Sequence, residues 1–271
     1  MADTDGKRAV DPGRRARYAA AAMPLGDELG AALAWVTVLG RRSARPAHTS
    51  AAGLAWLPLV GLGIGAIAAG IAAAVGILAP RLAGVVGVLV LVALDGARGA
   101  RGVAAATSAL LRPGEPHVVL ARLRAVPPWP AVAVAVGLVG LRTAAAVVMP
   151  AAVRTTAFVV TPMLGAWGIV VQCYGGTPIH ARGVAAAVIG RARFREFGWA
   201  SVVALGVTLA IGEAVGLLVV LVASAVTVGL RVYSYRRTGG LTGRLLSATR
   251  ELVETAVLVT LGLLAVVPPP F

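Results

Sequence analysis

Residues 53–79 read GLAWLPLVGLGIGAIAAGIAAAVGILA, 27 positions without a charged side chain. A hydrocarbon core about 30 Å thick needs about 20 apolar residues of α-helix, so this stretch is long enough to cross a membrane. Its glycines and proline would weaken a soluble helix, yet such residues are tolerated in transmembrane ones. The rest of the chain agrees. Of 271 residues, 58% are hydrophobic and 13% charged, with a mean hydropathy of +0.87. Soluble domains carry about 25% charged residues. So much apolar material also excludes a disordered chain. The fold class is all-α, a polytopic integral membrane protein.

Working outward, further spans are expected at about 82–98, at 129–150 (opened by Trp129 and Pro130), at 156–174 and at 252–268. The run 199–230 is too long for one span and is interrupted near Glu213, so it is either two short or tilted segments or a hairpin. About six to seven transmembrane helices result. Asp27–Leu39 is too short to cross and reads as an interfacial or re-entrant helix with Asp27 and Glu28 near its N-terminus. Residues 1–22 hold five basic side chains and no following apolar core of a signal peptide. They are expected to form a disordered cytoplasmic tail, with Met23 as a candidate alternative start. Residues 23–271 then form a single helical membrane domain.

The net charge of +14 and pI near 11.6 would suggest nucleic acid in a soluble protein. Their distribution says otherwise. Residues 1–52 hold eight Lys or Arg, 95–128 five, 175–198 four and 231–250 five, together 22 of the 25. With a cytoplasmic N-terminus all four segments fall on one side, as the positive-inside rule requires. The basic excess is topological and needs no nucleic acid, although anionic lipid or a phosphate-bearing substrate could use the same surface.

The lone Cys173 and the scattered His48, His117 and His180 give no disulfide, cysteine cluster or zinc helix. Gly61-Leu62-Gly63-Ile64-Gly65 lies inside a span, so it reads as close helix packing rather than a nucleotide loop. Asp95, in Leu94-Asp95-Gly96, stands at membrane depth and either binds a cation or pairs with Arg98 one turn on. Arg142 and Glu213 either form a buried ion pair or each mark a helix break or a snorkelling end. The most informative segment is 235–254, YRRTGGLTGRLLSATRELVE. Its turn Gly239-Gly240 with Gly243, after Arg236 and Arg237, is a candidate phosphate cradle entering a helix. Glu251 and Glu254 follow on one face of that helix. The alternative reading is a cytoplasmic loop with a lipid-facing basic patch.

Four segments in order carry a resemblance to the cobalamin synthase family, adenosylcobinamide-GDP ribazoletransferase. They are Ala55-Trp56-Leu57-Pro58-Leu59-Val60-Gly61 with Gly65, Leu94-Asp95-Gly96, Leu164-Gly165 with Trp167, and Gly239-Gly240-Leu241-Thr242-Gly243 with Glu251. The resemblance implies an all-helical enzyme of the bacterial inner membrane. It would join adenosylcobinamide-GDP to α-ribazole or its phosphate, release GMP and use Mg2+. Asp95 and Glu251 would be catalytic, and Asp95, Glu251 and Glu254 would hold the metal. Arg236, Arg237, Gly239, Gly240, Thr242, Gly243 and Arg244 would bind the nucleotide phosphates. Substrates are small molecules, and other corrinoid-pathway proteins are candidate neighbours.

The chain departs from the family at polar positions. Gly99 and Gly102 stand where two further aspartates follow the first, with Arg98 and Arg101 between. Arg244 replaces the aspartate after Thr-Gly, Ala166 and Val38 replace arginines, and Arg124-Ala125 replaces a basic-Asp pair. Exchanging carboxylates for arginine inverts the charge expected at a magnesium site. Two readings follow: an active synthase with a rearranged site, which needs the Asp95 carboxylate, and a catalytically silent relative that binds corrinoid, nucleotide or partner proteins. A small-solute transporter, motivated by Arg142 and Glu213, lacks visible internal repeats.

Overall fold

The structure, a computed structural model, describes residues 25–36, 51–125, 128–180 and 185–266. The expected tail, 1–22, lies outside them, as do Thr37 and Val38. The described chain is helical: α1 Leu25–Val36, a 3-10 turn Ala51–Trp56, α2 Leu57–Leu78, α3 Pro80–Asp95, α4 Arg98–Leu110, α5 Pro116–Arg124, α6 Pro128–Val148, α7 Ala151–Cys173, α8 Phe194–Thr238 and α9 Gly243–Val266. Proline opens α2, α3 and α5, where its missing N–H is no loss. The chain is an all-α membrane protein.

Among the described residues four helical stretches are long and apolar enough to cross a membrane: Gly53–Leu78, Trp129–Val148, Ala151–Cys173 and Phe194–Thr238. A fifth results if α3 and α4 count as one broken span, since they meet at 79°. The expected span 82–98 therefore ends early. Gly96 and Ala97 both take left-handed backbone angles (φ 65° and 56°), which stop α3 at Asp95 and turn α4 aside.

The 45-residue α8 settles the question posed by 199–230. The helix breaks at Glu213 (φ 45°, ψ −123°). In a straight helix Phe197 and Arg231 would lie about 50 Å apart. Instead Tyr174 stacks on Phe197 with ring centroids 4.5 Å apart, and its carbonyl accepts a bond from Arg231 Nη1 at 3.0 Å. A Cβ on Gly216 would fall 2.5 Å from the Thr208 carbonyl oxygen. The two halves form a hairpin with Glu213 exposed at its tip.

α7 is the spine, with most of its side chains buried against α2, α8 and α9. Gly61 and Gly65 let α2 touch it backbone to backbone. A Cβ on either would lie 2.5 Å from the Pro162 oxygen or 2.4 Å from the Phe158 oxygen, while Gly63, off that face, has nothing within 4 Å. Cys173 is a buried apolar filler. A second core cluster joins α4, α5 and α9 through Val103, Leu110, Leu123 and Leu245. α1 packs on the 3-10 turn, where Trp56 Nε1 donates to Glu28 Oε2 at 3.0 Å. One end of the bundle gathers the α3–α4 bend, residues 174–180 and 185–193, and the turn before α9. The other holds the α2–α3 and α6–α7 turns and the tip at Glu213.

Candidate functional site

Five charged side chains meet in the interior. Asp95 closes α3, Arg142 lies in α6, and Arg250, Glu251 and Glu254 lie on α9; all are at least nine-tenths buried. Arg250 Nη1 donates to Asp95 Oδ1 at 2.9 Å and to the Val36 carbonyl at 2.7 Å. Its Nε donates to Glu254 Oε1 at 2.6 Å. Arg142 Nη2 lies 3.1 Å from Glu251 Oε1 and 3.4 Å from Glu254 Oε2. It also donates to the Glu251 carbonyl at 2.9 Å, and Arg142 Nε donates to Thr255 Oγ1 at 2.9 Å. Two guanidiniums thus bridge three carboxylates, leaving one net negative charge. Charges this deep are tolerated only when paired and hydrogen-bonded.

Glycines make the space. A Cβ on Gly165 of α7 would lie 2.5 Å from Glu254 Cγ and 3.1 Å from Arg250 Cγ. One on Gly99 of α4 would lie 1.9 Å from Glu251 Oε2. The Gly99 N–H donates to Asp95 Oδ2 at 2.8 Å. Asp95 therefore caps the start of α4 and pairs with Arg250. Arg98 donates through Nε to the Asp95 carbonyl at 3.0 Å, and the Asp95 carboxylate pairs with Arg250. Arg142 likewise pairs with Glu251 and Glu254; Glu213 stands at the far end of the bundle and marks the break.

The structure thus brings Asp95, Glu251 and Glu254 together, but with arginine between them. Asp95 and Glu254 have both oxygens engaged, and Glu251 has one on Arg142 and the other pressed against Gly99. Hard divalent cations need several free oxygen ligands. Among the described residues no three His, Cys, Asp or Glu side chains are disposed to hold a metal. This donor set, as arranged, does not fit magnesium.

One helical turn nearer the basic end, a cavity of about 410 Å³ opens between α4, α5 and α9. Its lining includes Arg98, Arg101, Arg124, Arg244 and His180, with the Thr242 and Ser247 hydroxyls, and no carboxylate. Gly102 forms its floor, packed so closely on α9 that a Cβ would fall 2.7 Å from the Ala248 nitrogen and 2.8 Å from the Arg244 oxygen. Arg124 Nη2 lies 2.9 Å from His180 Nε2, and Arg244 Nη1 donates to the Leu123 carbonyl.

Of the phosphate-binding set expected from sequence, Thr242, Gly243 and Arg244 line this cavity; the others do not. Arg237 donates to the Leu110 and Arg112 carbonyls at the end of α4, and Arg236 is exposed. Two of the turn amides are spent. Gly239 N–H caps α8 on Tyr235, and Leu241 N–H donates to Thr177. Thr242 Oγ1 accepts from the Leu245 N–H at 3.4 Å as the N-cap of α9. Sequence reasoning missed Arg250, hidden in what looked like a basic loop, and the convergence of Arg98, Arg101, Arg124 and His180. The signal for Arg250 was its position four residues before Glu254.

Fold and site define a helical membrane protein with an arginine-bridged buried charge cluster beneath a cationic cavity. A family model for cobalamin-5-phosphate synthase matches residues 28–262, and the chain belongs to that family. The family places it in the final assembly of cobalamin, acting on small-molecule corrinoid substrates in a membrane. No curated protein and no solved structure matches the chain.

Proposed function

We propose that the protein carries out the family's reaction, transfer of the adenosylcobinamide phosphate from adenosylcobinamide-GDP to α-ribazole or its phosphate, on the cytoplasmic side of the bacterial inner membrane. The observation that carries this reading is the arginine-lined cavity at the basic end, directly above the buried cluster. In the transfer, a ribazole hydroxyl oxygen bonds to the corrinoid-side phosphorus. The bond from that phosphorus to the bridging oxygen breaks, GMP departs with the bridging oxygen, and the hydroxyl gives up its proton. Phosphoryl transfer depends mainly on positioning and on neutralising spread negative charge. Arg101, Arg124 and Arg244 supply such charge, with the N-terminus of α9 beside them. His180 lines the same cavity, with Nε2 at 2.9 Å from Arg124 Nη2. Asp95, Glu251 and Glu254 act by holding Arg142 and Arg250 and so fixing α3, α6 and α9 around the cavity.

A second reading, a catalytically silent relative that binds corrinoid or nucleotide, is favoured by one observation: the carboxylates are occupied by arginine. The experiment separates them. Detergent-purified protein is given adenosylcobinamide-GDP and α-ribazole, with magnesium or with EDTA, and corrinoid product and GMP are followed by chromatography. Product in step with GMP supports transfer. Substrate binding without product, beside a working family member, supports the silent relative.

A further inference from the structure

We infer that Arg98, Arg101, Arg124 and Arg244 form a diphosphate-binding site that works without a divalent cation. The inference rests on the placement of the cavity in the proposed function and deepens it by naming the ligand group and the means of its neutralisation. Enzymes that handle a diphosphate commonly bring a metal, because carboxylates recruit the cation and the cation meets the phosphate. Here the two layers are separated. The carboxylates lie one turn deeper and are already bridged by Arg142 and Arg250. The cavity itself presents four guanidiniums and no carboxylate.

A cation entering that lining would meet four like charges and no counter-charge, an unfavourable placement at any reasonable dielectric. A diphosphate meets the reverse. Guanidinium forks match phosphate oxygens in pairs and are less strongly hydrated than ammonium groups. The Arg101 side chain is exposed and has no hydrogen-bond or ion-pair partner among the described residues. Arg244 spends one nitrogen on a carbonyl and Arg124 one on His180, so further N–H donors remain on each. Thr242, Gly243 and Ser247 add two hydroxyls and the start of α9, where helix dipole and amides favour anions. A volume of about 410 Å³ suits a diphosphate with its sugar, while a corrinoid ring must remain outside.

The test uses the full chain in nanodiscs, with GDP and inorganic pyrophosphate as probes and calorimetry as readout. Binding in EDTA, no tighter when magnesium is added, is the expected result. Arg101→Ala with Arg244→Ala should weaken GDP at least tenfold, with melting unchanged because both side chains are exposed. Arg81→Ala, at the other end of the bundle, should bind normally. Binding that requires magnesium, or that survives the double substitution, overturns the inference. Nanodiscs of phosphatidylcholine alone and with phosphatidylglycerol distinguish the source of phosphate: GDP should bind in both, and its loss on adding the anionic lipid would assign the arginines to a lipid headgroup instead. The assay does not require turnover. Metal-free GDP binding without corrinoid product would leave this inference standing and remove the proposed reaction; magnesium-dependent product formation would do the opposite.

Discussion

The carboxylate of Glu251 fills the space that a side chain on residue 99 would need: a Cβ on Gly99 would lie 1.9 Å from Glu251 Oε2 and 3.0 Å from its Cβ. Family resemblance leads one to expect an aspartate at 99. In this chain that volume already holds a carboxylate, delivered from α9 rather than α4 and paired with Arg142 at 3.1 Å. Restoring the aspartate would therefore put two negative groups in one space and displace the arginine's partner. Gly99 and Glu251 are a coupled pair.

That coupling is measurable. Gly99→Ala should lower stability by about 1–3 kcal/mol, the usual cost of overpacking, because Glu251 must leave Arg142. In the Glu251→Ala background the same change should cost at least about 1 kcal/mol less, since contacting residues do not add. Thermal or denaturant unfolding in detergent of the four proteins closes the cycle. Strict additivity would show that the two residues do not touch.

Arg250 is the cation that Asp95 pairs with, and it also holds Glu254 and the Val36 carbonyl. Arg250→Met strands a buried carboxylate, a change that costs about 3–5 kcal/mol in buried pairs. Glu254 keeps Arg142, so the stranded charge is that of Asp95. Adding Asp95→Asn to Arg250→Met should recover part of the loss, whereas Asp95→Asn alone should be destabilising. If the second substitution deepens the defect of the first, the ion-pair account fails.

The membrane class and most of the spans were legible because apolar runs are a property of composition and length. Gly61 and Gly65, four apart, were legible as a packing face for the same local reason. The break at Glu213 was visible as a charge in an apolar run, but its resolution into a hairpin rests on Tyr174 meeting both Phe197 and Arg231, which no local pattern encodes. The site divides similarly. Asp95 was legible as a carboxylate at membrane depth, and Glu251 and Glu254 as a pair on one face of the helix that follows the glycine turn. Their counter-ions were not, because Arg142 reaches its partners across more than a hundred residues of chain and Arg250 was read as part of a basic loop. The cationic cavity depends on the 79° bend after Asp95, which turns Arg98 and Arg101 toward Arg124 and Arg244.

The small residues of α2 provide an internally controlled prediction. Gly61→Ala and Gly65→Ala each drive a methyl into the backbone of α7, at 2.5 and 2.4 Å from carbonyl oxygens, and backbone there cannot swing aside like a side-chain tip. Each should cost about 1–3 kcal/mol. Gly63→Ala, with nothing within 4 Å, should be neutral or slightly stabilising through its higher helix propensity. Equal effects at all three positions, read by thermal melting in detergent, would mean that α2 does not meet α7 through this face.

The hairpin of α8 fixes which surface residues share a side, and the positive-inside rule predicts that the basic side faces the cytoplasm. Ala151 and Glu213 are exposed at one end of the bundle, and Arg191 and Arg236 at the other. Single cysteines at these positions, with Cys173→Ala to remove the native thiol, can be probed with a membrane-impermeant maleimide. In intact cells Ala151→Cys and Glu213→Cys should label, and Arg191→Cys and Arg236→Cys should not; inverted vesicles should reverse the pattern. Labelling of Glu213→Cys from the same side as Arg236→Cys would mean that the hairpin does not cross. Labelling of all basic-end positions in intact cells would invert the orientation and place the arginine cavity on the side away from the cytoplasm, which would overturn the proposed cytoplasmic site.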